Sequence, residues 1–297
     1  MWFKNLKVFR LSSWTLSTAD LCDVLEKKRF QPASAGSMQS IGWVPPREDS
    51  DLAYPLNGQI LLAMRSEKKL LPSAVIKDAA QNKARQIEEQ QGYKPGRKQM
   101  KEIKEQVTDE LLPKAFSVRH DTRVWIDTAN HWLAIDTTSA TKSDEVLGML
   151  AKCIDPFPVC QLYVKRSPAS AMTSWLESDE APAGFTIDQD SELRSTSQNR
   201  ATVRYVRQSI AIEQVRKHVQ DGKQCTRLAL TWADKVSFVL NDLMDIKRVT
   251  PLDILTESKD VAQNEAERFD SDFTLMTGEL SRLLADLIDG LDGEKLA

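Results

Sequence analysis

Val124-Trp125-Ile126-Asp127-Thr128-Ala129-Asn130-His131-Trp132-Leu133-Ala134-Ile135-Asp136 is the stretch on which the fold turns. Two runs of aromatic and β-branched residues flank Thr128 to His131, and a loop this short reverses the chain into an antiparallel hairpin. Such a pair argues against a parallel, doubly wound sheet and for an α+β protein in which hairpins and helices mix. Just upstream, Pro113 stops a helix expected from Arg97 to Leu112, and Gly92 to Gly96 separates it from another spanning Pro72 to Gln91. The pair reads as a helical hairpin.

Further toward the N-terminus, Gln59 to Arg65 is a short apolar run of buried-strand type, introduced by a tight turn at Asn57-Gly58. Trp43-Val44-Pro45-Pro46-Arg47 reads as a loop. Leu6 to Leu11 reads as a strand, and Ser17 starts an amphipathic helix through Leu21 and Leu25 to about Lys28. Downstream, Ser143 to Ile154 reads as a helix and Cys160 to Val164 as a strand. Ser167 caps a helix from Pro168 to Leu176, with proline at its favoured first position. Glu177 to Asn199 is rich in acids and turn formers and reads as an open connection. Strands follow at Val203 to Ile210, Arg227 to Trp232, Val236 to Leu240 and Ile246 to Val249, with a helix at Ile212 to Val219. Ala262 to Leu291 closes the chain as a long amphipathic helix. The expected organisation is a central α+β body of residues 1–70, 115–176 and 200–250. To it are added a basic helical hairpin at 71–114, a connecting region at 177–199 and an acidic helical region at 251–297.

A chain of 297 residues with 41% hydrophobic and 28% charged residues can bury a sizeable core and is not disordered in bulk. Cys22, Cys153, Cys160 and Cys225 contain no C-x-x-C spacing, so neither a zinc site nor a disulfide framework is indicated, and reduced thiols fit best. The charged start MWFKNLKVFRL lacks the apolar stretch of a signal peptide, and no run approaches a membrane span, which points to the cytoplasm. A net charge of −3 argues against a nucleic-acid binder until the charges are placed. Residues 68–123 hold 13 Lys and Arg against 8 Asp and Glu, a net of +5. Residues 200–227 hold 7 against 2, again +5, whereas residues 253–297 hold 4 against 12, a net of −8. Segregated this way, an acidic protein can present local positive surface to phosphates. On charge alone, solvated helix faces explain the same counts more simply.

Chemistry-bearing motifs are sparse. Gly92-Tyr93-Lys94-Pro95-Gly96-Arg97-Lys98 is too short for a phosphate loop, no G-x-S-x-G or H-E-x-x-H occurs, and His120, His131 and His218 sit in unrelated surroundings. Asp121, Asp127 and Asp136 flank the decisive hairpin and would be the ligands of a catalytic metal if the fold gathered them. Asp at strand ends beside a turn is the simpler reading. Asp270 and Asp272, two apart on a helix, point away from each other, and Cys153 and Cys160 read as small buried hydrophobes. Phe116 follows a helix-stopping proline between Lys114 and Arg119. It is either a core residue or an aromatic projecting from a loop.

MWFKNLKVFRL at the start, Gly42-Trp43-Val44-Pro45-Pro46, the LLPKAF segment ending at Phe116, Trp125-Ile126-Asp127-Thr128 and the RFDSDFTLMTGEL stretch from Arg268 to Leu280 occur in a specific order and spacing. In these, from residue 1 to about residue 293, the chain resembles the bacterial recombination-associated protein RdgC family. The resemblance implies curved, elongated subunits that meet at both ends, so that a homodimer closes as a ring with a basic inner surface. It implies binding of double- and single-stranded DNA without sequence specificity, restraint of RecA recombinase loading, no catalysis, no cofactor, no membrane and a nucleoid-associated location. By position it implies a gate at one dimer contact formed by Phe116 and, facing it, Arg207 and Gln208, with Arg207 standing where a lysine is also expected. Lys77, Lys98, Lys101, Lys114, Arg119 and Arg204 are the expected phosphate contacts. Two competing readings remain: a metal-dependent nuclease using Asp121, Asp127 and Asp136, and an inhibitor that touches the recombinase directly.

Overall fold

The computed structural model describes residues 2–208, 211–256 and 264–295. The chain runs through β1 (Asn5–Leu11), α1 (Thr18–Glu26), β2 (Gln39–Val44), β3 (Ala53–Leu56), β4 (Gln59–Lys69), α2 (Ser73–Gln91) and α3 (Arg97–Leu111). A 3-10 turn at Leu112–Lys114 leads into β5 (Ser117–Asp127), β6 (Trp132–Ile135), α4 (Ala140–Ala151), β7 (Val159–Gln161) and α5 (Pro168–Ser178). Then come β8 (Phe185–Ser195), β9 (Thr202–Tyr205), α6 (Ile212–Gln220), β10 (Lys223–Trp232), β11 (Val236–Asn241), β12 (Ile246–Pro251), α7 (Asp253–Thr256) and α8 (Glu265–Gly290).

All the strands join one antiparallel sheet in the order β2-β4-β5-β6-β1-β12-β11-β10-β8-β9, with β3 on β4 and β7 on β1. The fold is therefore α+β, as expected, with a single continuous sheet in place of separate ones. β1 joins its two parts: Asn5 and Leu6 pair with Lys247 and Ile246 of β12, while Lys7 to Arg10 pair with Ile135 to Trp132 of β6. The decisive hairpin forms as read, with Val124 to Asp127 against Ile135 to Trp132. Its strands are continuously apolar because both faces are covered. Trp125 and Ala134 enter one core with Phe238 of β11 and Leu284 of α8, and Ile126 and Leu133 enter a second with Leu21 and Leu25 of α1 and Val146 and Leu150 of α4.

Local chemistry explains the element boundaries. Asn57 and Gly58, both at positive φ (52° and 78°), make the two-residue turn between β3 and β4 that left-handed backbone favours. The Ser167 side chain accepts from the backbone N–H of Ser170, and Pro168 opens α5. α2 ends at Gly92, whose N–H donates to Glu88 O with φ 76°. Gly42 in β2 leaves no room for a side chain, since a Cβ there would lie 2.4 Å from Phe30 Cα.

The structure departs from the sequence reading in several places, among them β7, which spans Val159–Gln161 where a strand was expected from Cys160 to Val164, and Cys160, which is exposed where a buried thiol was expected. Trp43 and Val44 end a strand, and the loop starts after them. β5 begins at Ser117, seven residues before Val124, because its first five residues are exposed and all but Val118 are polar, so they carry no apolar alternation. Residues 185–195, read as part of an open connection over 177–199, form β8, paired to both β9 and β10. Its acids are held by specific partners: Asp188 accepts from Thr231 Oγ1 at 2.9 Å and Asp190 from Arg248 at 3.2 Å. The strand expected from Val203 to Ile210 is shorter: β9 ends at Tyr205 and Val206 to Gln208 are not in a strand, while its expected end at Ile210 and the helix start at Ala262 lie outside the described residues.

Candidate nucleic-acid interface

β2, β4 and β5 form a three-stranded ribbon whose far end, from Arg65 with Asp121 to Lys69 with Ser117, runs past both cores. At its tip the Leu70 N–H donates to Phe116 O at 2.7 Å, and the Phe116 side chain is 84% exposed. Met38, Leu70 and Val118 are exposed beside it, so the tip is an apolar patch on an otherwise charged ribbon. Phe116 projects, and the core alternative does not hold. Beyond the tip, α2 and α3 pack on a small core of Ala80, Ile103 and Val107.

The six expected phosphate contacts are all exposed, but they differ in what holds them. Lys77 and Lys98 on the helical hairpin and Lys114 in the 3-10 turn are in no ion pair among the described residues, and Lys101 faces Glu105 at 3.6 Å. Arg119 donates to Glu67 at 3.0 Å, and Arg204 donates to Glu192 through two nitrogens at 3.0 and 2.5 Å. Both arginines are therefore partly neutralised. The Ser117 hydroxyl and, after the opposing effect of burial, the Arg119 guanidinium keep the Glu67 carboxyl below the usual glutamate value.

At the opposite end of the sheet, Arg207 follows edge strand β9 and is held at φ 52°, a region costly for a residue with a Cβ. Its N–H donates to Asp190 Oδ1 at 2.9 Å, the Gln208 N–H donates to Gln189 O at 3.3 Å, and Val206 beside them is exposed. Sheet order separates β5 from β9 by seven strand-to-strand steps. At about 4.8 Å per step the two strands lie about 34 Å apart across the sheet.

The three hairpin aspartates are engaged separately. Asp121 takes a two-point contact from Arg65 at 2.7 and 2.6 Å. Asp127 is fully buried and accepts from the backbone of Ala129 and Asn130, the Asn130 amide and Ser281 Oγ of α8, which anchors the decisive turn. Asp136 accepts from the N–H groups of Lys4 and Asn5 at 3.2 and 3.0 Å, and burial pushes its carboxyl up. Asp270 accepts from Arg47 and Tyr54. Among the described residues no group of three or more His, Cys, Asp or Glu side chains is placed to hold a metal ion.

Sequence reading found Arg204 but missed what surrounds it. Glu192 is 2% exposed and is met by Arg194 at 2.9 Å, Arg204 at 2.5 Å and Arg227 at 3.9 Å, three arginines from three neighbouring strands. The signal was present in the alternation Asp188, Asp190, Glu192, which sets acids on one face of a strand. No described helix is long and apolar enough to cross a membrane.

These features define an α+β protein that displays clustered cations and an isolated apolar tip from one long antiparallel sheet. Residues 1–294 match the profile of the family described as "Putative exonuclease, RdgC". The "Recombination-associated protein RdgC" of Bordetella parapertussis is 62% identical over 297 residues, covering 99% of each chain. Proteins of the same name from Janthinobacterium sp. and Cupriavidus necator are 57% and 54% identical, over 99% and 100% of both chains. The chain belongs to the RdgC family.

Proposed function

We propose that this protein binds double- and single-stranded DNA without reading sequence, as a homodimer closed into a ring, and limits RecA loading by occupying DNA. The observation that carries this reading is the exposed Phe116 tip beside β5, seven strands along the sheet from β9, which Arg207 and Gln208 follow. An apolar patch on a charged ribbon is stabilised by being covered. In this reading Phe116 of one subunit meets Arg207 and Gln208 of a second, and the two-fold operation repeats the contact. Recombination association in the names of the relatives and the basic segments at residues 68–123 and 200–227 support the DNA ligand. In this reading the protein acts without cutting DNA, in keeping with the separate engagement of Asp121, Asp127 and Asp136.

Phe116→Ala tests the gate. A folded dimer is expected that leaves linear duplex DNA several-fold faster than the parent, read by competitor chase. Unchanged dissociation removes Phe116 from the gate. A strictly monomeric mass in solution removes the ring, and nicking of plasmid with Mg²⁺ or Mn²⁺ restores the nuclease reading.

A further inference from the structure

Glu192 sits in the middle of β8, between β9 and β10, and its register partners across the sheet are Arg204 and Arg227. Cross-strand partners lie on one face, so three arginines converge on one carboxylate. That face is opposite the one packed under α5 and α8, where Leu228, Leu230 and Phe238 are buried. Arg204 and Arg227 line a recess of about 80 Å³ together with Arg248, which is itself tied to Asp190 at 3.2 Å. The guanidinium groups are not consumed by their carboxylates: the side chains of Arg194, Arg204, Arg227 and Arg248 are 42%, 58%, 32% and 65% exposed. Four arginines against Glu192 and Asp190 leave the cluster at a net +2.

Burial pushes the Glu192 carboxyl up, but hydrogen bonds from Arg204, Thr226 and Arg194 more than offset it and leave it below the ordinary glutamate value. The carboxylate thus stays charged at neutral pH. A guanidinium has five donors in a rigid plane, so one edge can grip a carboxylate while another edge presents N–H groups outward. Fixing the plane in advance removes part of the ordering cost when an anion arrives.

We infer that Glu192 and Asp190 are positioning residues that hold Arg204, Arg227 and Arg248 as a preformed cradle for a phosphate of the nucleic-acid backbone. This deepens the DNA-binding reading and rests on it. The bland alternative is an ion-pair network that only ties β8, β9 and β10 together. The two differ in sign. By net charge alone, Glu192→Gln adds one positive charge and should tighten DNA binding. If Glu192 aims the arginines, the same change loosens it.

The test is fluorescence anisotropy of the full chain with a labelled duplex and its single strand over a range of chloride concentrations. Glu192→Gln is expected to bind about fivefold more weakly at fixed salt, with the log-log salt slope shallower by about 0.9, the loss of one phosphate contact. Glu192→Asp should recover part of the loss. Equal or tighter binding by Glu192→Gln, with a normal thermal melt, overturns the inference. If Glu192→Gln does not fold, Arg227→Gln and Arg248→Gln carry the test through the same shallower slope, and an unchanged slope in both overturns it. Absence of DNA binding by the unaltered protein would instead overturn the function proposed above.

Discussion

The helical hairpin and the outer face of β8 to β10 both present positive charge, but they hold it in opposite ways. On α2 and α3, which pack on a small core of Ala80, Ile103 and Val107, Lys83 is tied to Glu110 at 2.6 Å, but Lys101 meets Glu105 only at 3.6 Å and Lys77 and Lys98 are in no ion pair among the described residues. On the sheet face each arginine is pinned to a carboxylate that is buried or itself fixed by a backbone donor. A lysine on a flexible stem follows a phosphate wherever it lies, whereas a pinned guanidinium meets it in one geometry. Under the DNA-binding function proposed above, the hairpin attracts DNA and the sheet face fixes where the backbone lies.

The contrast can be broken first at the hairpin core. Ile103→Ala empties the largest buried side chain of that cluster and should cost about 2–4 kcal/mol of hairpin stability. Amide exchange should then open across residues 73–111 while β10 and β11 stay protected, and simultaneous loss of both would show that the two regions fold as one unit. The next largest effect belongs to the lysines. Replacing Lys77, Lys98 and Lys101 together by alanine should make the salt dependence shallower by up to about 2.7 in log-log slope while leaving the melting temperature nearly unchanged. A slope that does not move would place these lysines away from DNA.

The smallest effect concerns acid. Glu67 and Glu192 both titrate below the ordinary 4.5 in the folded chain, so their contribution is present above pH 4.5 and is lost as pH falls through their folded values. Asp136 has the opposite sign: its carboxyl is raised above 3.8, so its contribution is present below 3.8 and is lost as pH rises through the folded value. Glu26, lowered by its hydrogen bond from Arg29, adds to the first group, and three lowered carboxylates against one raised predict a net loss of stability below pH 4.5 in denaturant titrations, reduced in Glu192→Gln. An identical acid profile in that variant would mean that Glu192 is not ionised in the folded state.

How much of this was legible in the sequence follows from what each signal rests on. The hairpin at residues 124–135 and the helices could be read because apolar periodicity reports burial, and these elements are buried on one or both faces. β8 could not, because Gln189 and Ser191 interrupt its apolar alternation and its other face is acidic. Those acids are compatible with a strand only because Thr231, Arg204 and Arg248, distant in sequence, satisfy them. The exposed cations were visible as residue types, but their pairing was not. That Arg119 leans on Glu67 and Arg204 on Glu192 depends on strand register, which no single segment specifies.

The placement of β1 bears on how the chain reaches this structure at all. β1 leaves the ribosome well before either of its main partners: it pairs with β6, whose residues follow more than a hundred positions later, and with β12, near residue 246. Residues 5–135 can assemble the β2 to β1 part of the sheet while synthesis continues, but the edge that receives β12 must wait, unpaired, until most of the chain exists. Contacts of such long sequence separation make for slow closure. The nascent chain must therefore keep one open strand edge out of reach of other nascent chains until its own C-terminal half arrives to cover it.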